Sequence, residues 1–513
     1  MITLIKKGLK ILFYSDSSSE IEFVKKATSF FVPGAEFSSK FQDGYWDGTY
    51  KFYTPASKRF KRGDSFWFGL LNYVVKRLDR EGVRYSIEGF EDRDVSWVTF
   101  GDKFLSDERN YQKEAILKTL TRGYGIIKVP TRGGKTYIAS EMIRLLLDRN
   151  PGHKFLFLVD SAEIYRQAIG DIAGVVGLPE EEIGQIRGQK FDLKAINVGM
   201  IQTIQSGLKR RKPDTTEHRR RRETFTKFLK ELNVLFVDEI QEFGESQPRI
   251  KVIRRCVDVD YIVGLSATPY KESGEIAKIT IESLTGGVVY EIEEAELVDA
   301  GVLVRNKILL LLMKHKMYGS HLGLSYFSLF DKVILENFHR NEMLKAVIDA
   351  CYKLSLKTLV LFSSVKHGKM LSKDMGFEFA WGDYKDEDRD RVKEEFLDGK
   401  GKVLFASGIW KKGITLPEVE VLINADGGKE QSLVIQRRGR VLGISEGKTK
   451  ALAIDFVDDY DRYFNKHSLE RIRAYEKKVG KEGIDVLDTD DVDFIDQLED
   501  YLVDWFELNI VNE

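Results

Sequence analysis

Cysteine is nearly absent: Cys256 and Cys351 are the only two in 513 residues, and they lie far apart. Two such residues supply no disulfide framework, no zinc ligand set and no iron–sulfur cluster, so a reducing cytoplasmic compartment is the simplest fit. No apolar run approaches the roughly 20 residues that span a bilayer. The opening MITLIKKGLKILFY is followed at once by polar SDSSSE, with no small-residue cleavage site, and does not read as a signal peptide. An excess of one charge is also missing. Eighty basic residues face 81 acidic ones, for a net charge of −1. That balance argues neither for nor against nucleic acid, and the local distribution matters more. Residues 209–222, KRRKPDTTEHRRRR, hold eight basic side chains against two acidic ones. Residues 484–513 hold eleven acidic residues and no Lys or Arg.

The length exceeds what one core accommodates and implies three or four domains. Hydrophobic content of 42% and charged content of 31% fit an ordinary globular chain. Short apolar runs recur, each followed by a helical pattern: GIIKVP (125–130), KFLFLVD (154–160), INVGMIQ (196–202), NVLFVDE (233–239) and YIVGLSA (261–267). Strands apolar throughout and alternating with helices imply a parallel sheet covered on both faces. A second series starts near residue 303, with KTLVLFS (357–363), KVLFASG (402–408), VEVLINAD (419–426) and KALAIDF (450–456). The first hundred residues differ. Aromatics and Gly/Asp turns, as in FQDGYWDGTYKFYTP (41–55), then a helical stretch at 68–82, suggest a small α+β module.

Two stretches carry the chemistry. VPTRGGKT (129–136) follows an apolar strand and opens a helix, the context of a phosphate loop. Backbone N–H groups there cradle phosphate oxygens. Gly133 and Gly134 permit close approach. Lys135 reaches the β/γ-phosphates, and Thr136 offers its hydroxyl to Mg²⁺. The full signature has Gly where Val129 stands, and Arg132 is bulky for such a loop. In FVDEIQ (236–241) two carboxylates end a buried strand, where open α/β sheets place their ligands. Asp238 is expected to hold Mg²⁺ through water, and Glu239 to polarise the water that attacks the γ-phosphate.

Further segments fall in order: Arg109-Asn-Tyr-Gln112 before the loop, LSATP (265–269) after the acidic pair, then SGIWKKGITLP (407–417) and QRRGR (436–440). With these motifs in sequence, the stretch from about 105 to 456 resembles a superfamily 2 helicase or translocase. The resemblance implies an α/β chain with two tandem RecA-like domains built on parallel sheets. A small α+β N-terminal domain precedes them and a short helical C-terminal segment follows. The expected domains are 1–98, 99–298 (ATP-binding), 299–458 (helicase C-terminal) and 459–513. Gln112 matches the glutamine that reads adenine, with Arg109 nearby, so ATP is the expected nucleotide. Thr131, Gly133, Gly134, Lys135 and Thr136 match the first motif, and Asp238 and Glu239 the second. Gln241 stands where many relatives have His and is expected to couple nucleotide state to motion. Ser266, Ala267 and Thr268 match the motif that relays that state. In the second domain Gln436 and Arg440 match the QxxGRxxR motif, with Arg440 as an arginine finger acting across the cleft. Gly443 stands where a further Arg is expected. Gly413 and Thr415 match a motif that contacts nucleic acid and nucleotide. The resemblance further implies that bound triphosphate favours a closed pair of lobes and that hydrolysis releases it, making each cycle a step along a strand.

Ser161, Gln167, Gln202 and Thr203 in the first lobe, and Ser363, Lys366 and His367 in the second, are candidates for phosphate and sugar contacts. The 209–222 stretch reads either as a basic grip on a duplex arm or as a solvated excursion. In the acidic tail, Phe494, Leu498, Leu502 and Phe506 recur at helical spacing, as in an amphipathic helix packed on the second lobe. FQDGYWDGTYKFY resembles the opening domain of phage UvsW-type branched-DNA helicases, through Gly44, Trp46, Asp47 and Gly48. The RN pair at 340–341 and the GIT segment fit the same group. Tyr45, Trp46, Trp67 and Phe68 read either as the small module's core or as rings that stack at a junction. The expected activity is therefore ATP-dependent DNA unwinding or translocation on forked or four-way-junction DNA, by a monomer, with phage or host replication and recombination proteins as partners. An RNA helicase, weakened by the lack of a DEAD tetrapeptide, is one alternative. The motor subunit of a restriction complex and an ATP-gated remodelling protein that separates no strands are the others.

Overall fold

Apolar residues on both faces of a strand can be satisfied only between two layers of helices. FLFLV at Phe155–Val159 and VLFVD at Val234–Asp238 are buried at every position. In the computed structural model of this chain, the described residues are 1–57, 63–101, 109–210, 213–270, 274–314, 324–381, 386–398, 401–407, 416–429, 434, 437–459 and 461–508. They form two units, one of residues 1–130 and 134–292, the other of 131–133 and 293–513.

All five expected strands of the first unit pair into one eight-stranded sheet. Its order is Lys190–Asp192, Gly184–Arg187, Ile196–Met200, Phe155–Val159, Val234–Asp238, Tyr261–Ser266, Tyr124–Lys128, Val288–Glu291. Every pairing is parallel except that of Lys190–Asp192, which closes a hairpin at one edge. The order brings the C-terminal ends of Val234–Asp238 and Tyr261–Ser266 side by side, with that of Tyr124–Lys128 next.

The first hundred residues make a separate five-stranded sheet, ordered Tyr53–Thr54, Ser65–Trp67, Lys10–Tyr14, Ile2–Lys7, Tyr85–Glu88. Its core is continuous with that of the parallel sheet: Phe66, Phe68 and Val74 share one cluster with Val252, Ile253, Ile281 and Leu284. At the junction the Tyr73 hydroxyl donates to Glu282 at 2.5 Å, and Arg254 stacks 4.5 Å from the Trp67 ring. Gly69 lies so close to the Glu282 carbonyl that a Cβ would stand 1.8 Å from that oxygen, so only glycine fits there. This module is thus bonded to the first parallel sheet rather than tethered to it.

The second unit is a seven-stranded, all-parallel sheet ordered Phe379–Ala380, Val403–Ala406, Thr358–Leu361, Val421–Asn424, Lys450–Asp458, Arg305–Met313, Ile484–Asp488. The C-terminal segment is helical at Arg462–Val479 and Phe494–Phe506. Between those helices it also contributes the edge strand Ile484–Asp488. Phe494, Leu498 and Leu502 are buried against Leu344, Val347 and Cys351, so the acidic segment belongs to this core. Of the 209–222 stretch, Thr215 caps the helix Thr216–Lys230, which is anchored by Phe225, Phe228 and Leu229. Both cysteines are free and buried, and burial pushes each thiol up to about 12, which leaves them inert. Among the described residues, no helix is long and apolar enough to cross a membrane.

Candidate functional site

The helix Lys135–Arg149 opens directly from the loop, with Gly134 as its N-cap at φ 82°, ψ 31°. A Cβ on Gly134 would stand 2.5 Å from Gln112 Nε2. The loop and the expected adenine-reading residue are therefore in contact. Gln112 is fully buried; its Nε2 donates to the Tyr111 hydroxyl at 3.1 Å. Its Oε1 is buried with no hydrogen-bond partner. Such an acceptor is costly to leave unpaired and fits the exocyclic amine of an adenine. Exposed Arg109 sits at the same rim, where its charge bears on Tyr111 and Tyr137. Lys135 donates to the Val129 and Pro130 carbonyls at 3.2 and 3.3 Å. It folds over its own loop, where a phosphate oxygen would displace those carbonyls. Between Thr131 and Gly133, Arg132 holds a positive φ of 69°, so backbone conformation, not glycine alone, shapes this turn.

Asp238 is buried at its strand end. Burial and the neighbouring Glu239 charge push its carboxyl above the usual carboxylate range, and the Lys135 ammonium opposes that shift. Lys135 and Asp238 thus face the same space. A buried carboxylate raised in this way gains by meeting a cation. With the Thr136 hydroxyl, it offers hard oxygen donors of the kind Mg²⁺ takes in small number beside phosphate oxygens and water. Among the described residues no group of three or more His, Cys, Asp or Glu side chains is placed to hold a metal ion.

Glu239 leaves the strand in the left-handed region, at φ 49°, ψ 52°. Strain at a non-glycine residue persists only when its surroundings impose it. Here they do: Gln241 Nε2 donates to Glu239 at 2.5 Å, the Ser266 hydroxyl donates to Gln241 Oε1 at 2.6 Å, and the Thr268 amide donates to the Ser266 hydroxyl at 2.9 Å. Gln241, Ser266 and Thr268 are one hydrogen-bonded chain ending on Glu239, with buried Ala267 inside it.

Around this centre the strand-end residues are tied together. Asp160 accepts from Gln202 Nε2 at 2.5 Å and from Arg249 at 2.8 Å. It directly follows the apolar strand Phe155–Val159, one position beyond the level of Asp238. The Ser161 hydroxyl caps the following helix by accepting from the Ile164 amide. Thr203 accepts from the Gly188 amide at 2.9 Å, and exposed Gln167 donates to Asp171 at 3.3 Å. In the first module the Trp46 indole donates to the Thr49 carbonyl at 2.9 Å, and Asp47 accepts from Thr49. Gly44 and Gly48 turn the chain at φ 74° and 72°. Trp46 is half-buried, Trp67 and Phe68 are core, and Tyr45 is 85% exposed.

In the second unit, His367 is corrected to an interior position: it is buried, with Nε2 2.8 Å from Asn341 Oδ1. A buried imidazole presents no surface to a phosphate. Ser363 donates to Asp426, which also accepts from Arg437 at 3.0 Å. Lys366 is exposed and pairs loosely with Glu336 at 3.7 Å. Neither Arg437 nor Arg438 is available as a finger. Both are buried, Arg437 on Asn424 and Asp426, Arg438 on Glu294 and Asn306. Arg340, of the RN pair, is fully buried on Asp458 at 2.8 Å. Gly443 has its carbonyl held by buried Lys448, which also binds the Pro417 and Val441 carbonyls. Gly413, Thr415 and Gln436 lie outside the described residues, as does the Arg440 side chain; the Arg440 backbone is in the turn Gly439–Val441.

Comparison with known proteins matches two family models, "Type III restriction enzyme, res subunit" over residues 106–271 and "Helicase conserved C-terminal domain" over 340–444. The ATP-dependent DNA helicase uvsW of Enterobacteria phage T4 is 23% identical over 490 residues, covering 87% of this chain and 91% of the phage protein. The ATP-dependent RNA helicase DBP5 of Saccharomyces cerevisiae is 28% identical over 142 residues, 26% of this chain and 28% of the yeast protein. The solved structure of S. cerevisiae Dbp5 bound to RNA and ADP BeF3 has the same two-domain fold, at TM-score 0.53 and 18% identity, covering 78% of this chain and 98% of that one. With both motor domains present in order, the chain is an ATP-hydrolysing helicase of superfamily 2 that resembles the UvsW type.

Proposed function

We propose that this helicase works on branched DNA, unwinding or translocating at forks and four-way junctions in the cytoplasm as a monomer, alongside phage or host replication and recombination proteins. One observation carries the reading. The similarity to a DNA helicase extends over 87% of the chain, well past the two motor domains into one of the flanking segments or both. On this reading Gln112 and Arg109 take the adenine, Thr131 and the 133–136 loop take the phosphates, and Thr136 and Asp238 hold Mg²⁺. The metal, when bound, neutralises phosphate charge. Glu239 orients and polarises the attacking water, whose proton it accepts as the γ-phosphoryl bond is cleaved. The chain Gln241–Ser266–Thr268 conveys the change at Glu239 to the neighbouring strand end. Gln202, Thr203, Ser161, Gln167, Ser363 and Lys366 lie on connections expected to meet the sugar–phosphate backbone, with Ser161, Thr203 and Ser363 acting through the loops they brace. Arg440, Gln436, Gly413 and Thr415 stand as candidates on motif order alone.

An RNA duplex as substrate is the second reading, favoured by the 28% identity to an RNA helicase over 142 residues. Strand-displacement assays on matched DNA forks, four-way junctions, linear DNA duplexes and RNA duplexes decide between them. Preferential turnover of the branched DNA is expected. Equal activity on linear duplexes, or preference for RNA, rejects the proposal.

A further inference from the structure

Four parallel strands of the second unit, Arg305–Met313, Lys450–Asp458, Val421–Asn424 and Thr358–Leu361, end on one edge of the sheet. From that edge emerge the short helix Tyr326–Phe330, the start of the helix Arg462–Val479, the turn at 426–428 and Ser363. Resting on the nucleic-acid reading above, we propose that Tyr326, Phe327 and Tyr463 form a platform at this edge on which unpaired bases stack.

The rings are exposed but rigidly founded. Phe327 is 80% exposed, Tyr463 48% and Tyr326 40%. Tyr326 lies nearly parallel to Phe464, 6.3 Å between centroids, and 5.9 Å from Tyr463. Phe464 is fully buried with Val333 and Ile334 in a small cluster of its own. His467 extends the base, 4.7 Å from Tyr463, and is fixed by the Gly427 carbonyl at 3.3 Å. A base would therefore meet aromatic faces that do not have to be ordered first.

The charge around them is that of a strand-binding surface. Arg462 and Lys466 are exposed beside Tyr463, and Lys429 is exposed with its charge bearing on His467. The carboxylates of the same connections are mostly engaged. Asp461 caps its helix by accepting from the Tyr463 and Phe464 amides, Asp459 accepts from Asn465, and Asp426 is held by Arg437. Asp331 and Glu470 are the opposing charges nearby. Exposed rings interleaved with cations are what single strands need, because every base has a π-face while the cations follow the phosphates. A protein partner would need a broader apolar patch. The platform also adjoins the expected backbone contact: Asp426, whose charge bears on Tyr326, is bonded to Ser363.

The test uses the full-length chain and dye-labelled single strands, DNA and RNA, each intact or carrying a central abasic tract. Anisotropy titrations compare the wild type with Phe327→Ala, Tyr463→Ala, the double variant and Phe327→Trp. Each alanine is expected to weaken binding to the intact strand roughly tenfold and to change binding to the abasic strand little, whereas Phe327→Trp is expected to bind the intact strand as the wild type does. The DNA and RNA arms show which strand supplies the bases. Variants that bind intact strands as the wild type does overturn the platform and leave the nucleic-acid reading standing. Equal losses on intact and abasic strands overturn it as well. A wild-type chain that binds neither strand removes the nucleic-acid reading, and the platform with it.

Discussion

The Ser266 hydroxyl donates to the side-chain carbonyl of Gln241 at 2.6 Å, and Gln241 donates to Glu239. Residues 25 positions apart are thus joined through buried polar groups, ending on a carboxylate held in a strained conformation. Under the proposed function this chain is the candidate route by which a change at Glu239 reaches the neighbouring strand end.

Replacing Ser266 by Ala leaves the buried Gln241 carbonyl unpaired. A stability loss of about 1–3 kcal/mol is expected. Strand displacement should also fall more than ATP hydrolysis, because the cradle at Lys135 and Asp238 is untouched. Parallel displacement and phosphate-release assays check this. A constant ratio of the two activities shows that the chain is structural only.

Lys135→Ala removes the ammonium that faces Asp238. Hydrolysis is expected to fall by at least about 100-fold with the circular dichroism unchanged. Substantial turnover by the folded variant rejects the phosphate-site assignment.

Gly134→Ala meets two obstacles, a left-handed backbone and a contact of 2.5 Å with Gln112 Nε2. The backbone alone costs about 1–2 kcal/mol. On the proposed reading nucleotide affinity should drop more than stability, because the contact displaces both the loop and the Gln112 side chain. Binding of a fluorescent ATP analogue, set against the urea midpoint, separates the two effects.

Burial, and then the Arg340 charge, lower the His367 pKa from the ordinary 6.5 to about 3. The folded state keeps this imidazole neutral where the unfolded chain protonates it. Its stabilising effect is present above pH 6.5 and is lost progressively as pH falls towards 3. Between pH 7 and 5 the loss is about 2 kcal/mol. Urea unfolding of wild type and His367→Gln at both pH values should show a shallower pH dependence in the variant. Identical dependence places the titration elsewhere.

The first hundred residues share a core with the first parallel sheet, so deleting them would strip apolar surface from Leu284 and Val252 and unsettle the motor itself. Tyr45→Ala is the cleaner probe. An exposed ring costs within about 0.5 kcal/mol to remove, while activity on forks should fall severalfold if the ring stacks on a base. Unchanged fork activity counts against a substrate role for this turn.

Much of this was legible in the linear chain. Runs such as FLFLV and VLFV are apolar at every position, and a covered parallel sheet accepts that pattern, so the two α/β domains and the strand ends bearing Asp238, Glu239 and Ser266 could be placed from composition and order. The amphipathic spacing of Phe494, Leu498 and Leu502 likewise announced a packed helix. Other features were hidden because they depend on contacts distant in sequence. Nothing local distinguishes Tyr45, left in solvent, from Phe68, which packs on the motor sheet. His367 looked like a surface group until Asn341 closed over it. The acidic segment concealed Ile484–Asp488, whose partner strand lies some 170 residues earlier. Sequence alone determined the buried strands of the two α/β domains and which strand ends carry reactive groups, since periodicity and burial demand are properties of neighbours along the chain. Tertiary structure decided which polar groups are consumed in holding the fold and which remain for a ligand, because that division is made by whatever residue the fold brings within hydrogen-bonding reach.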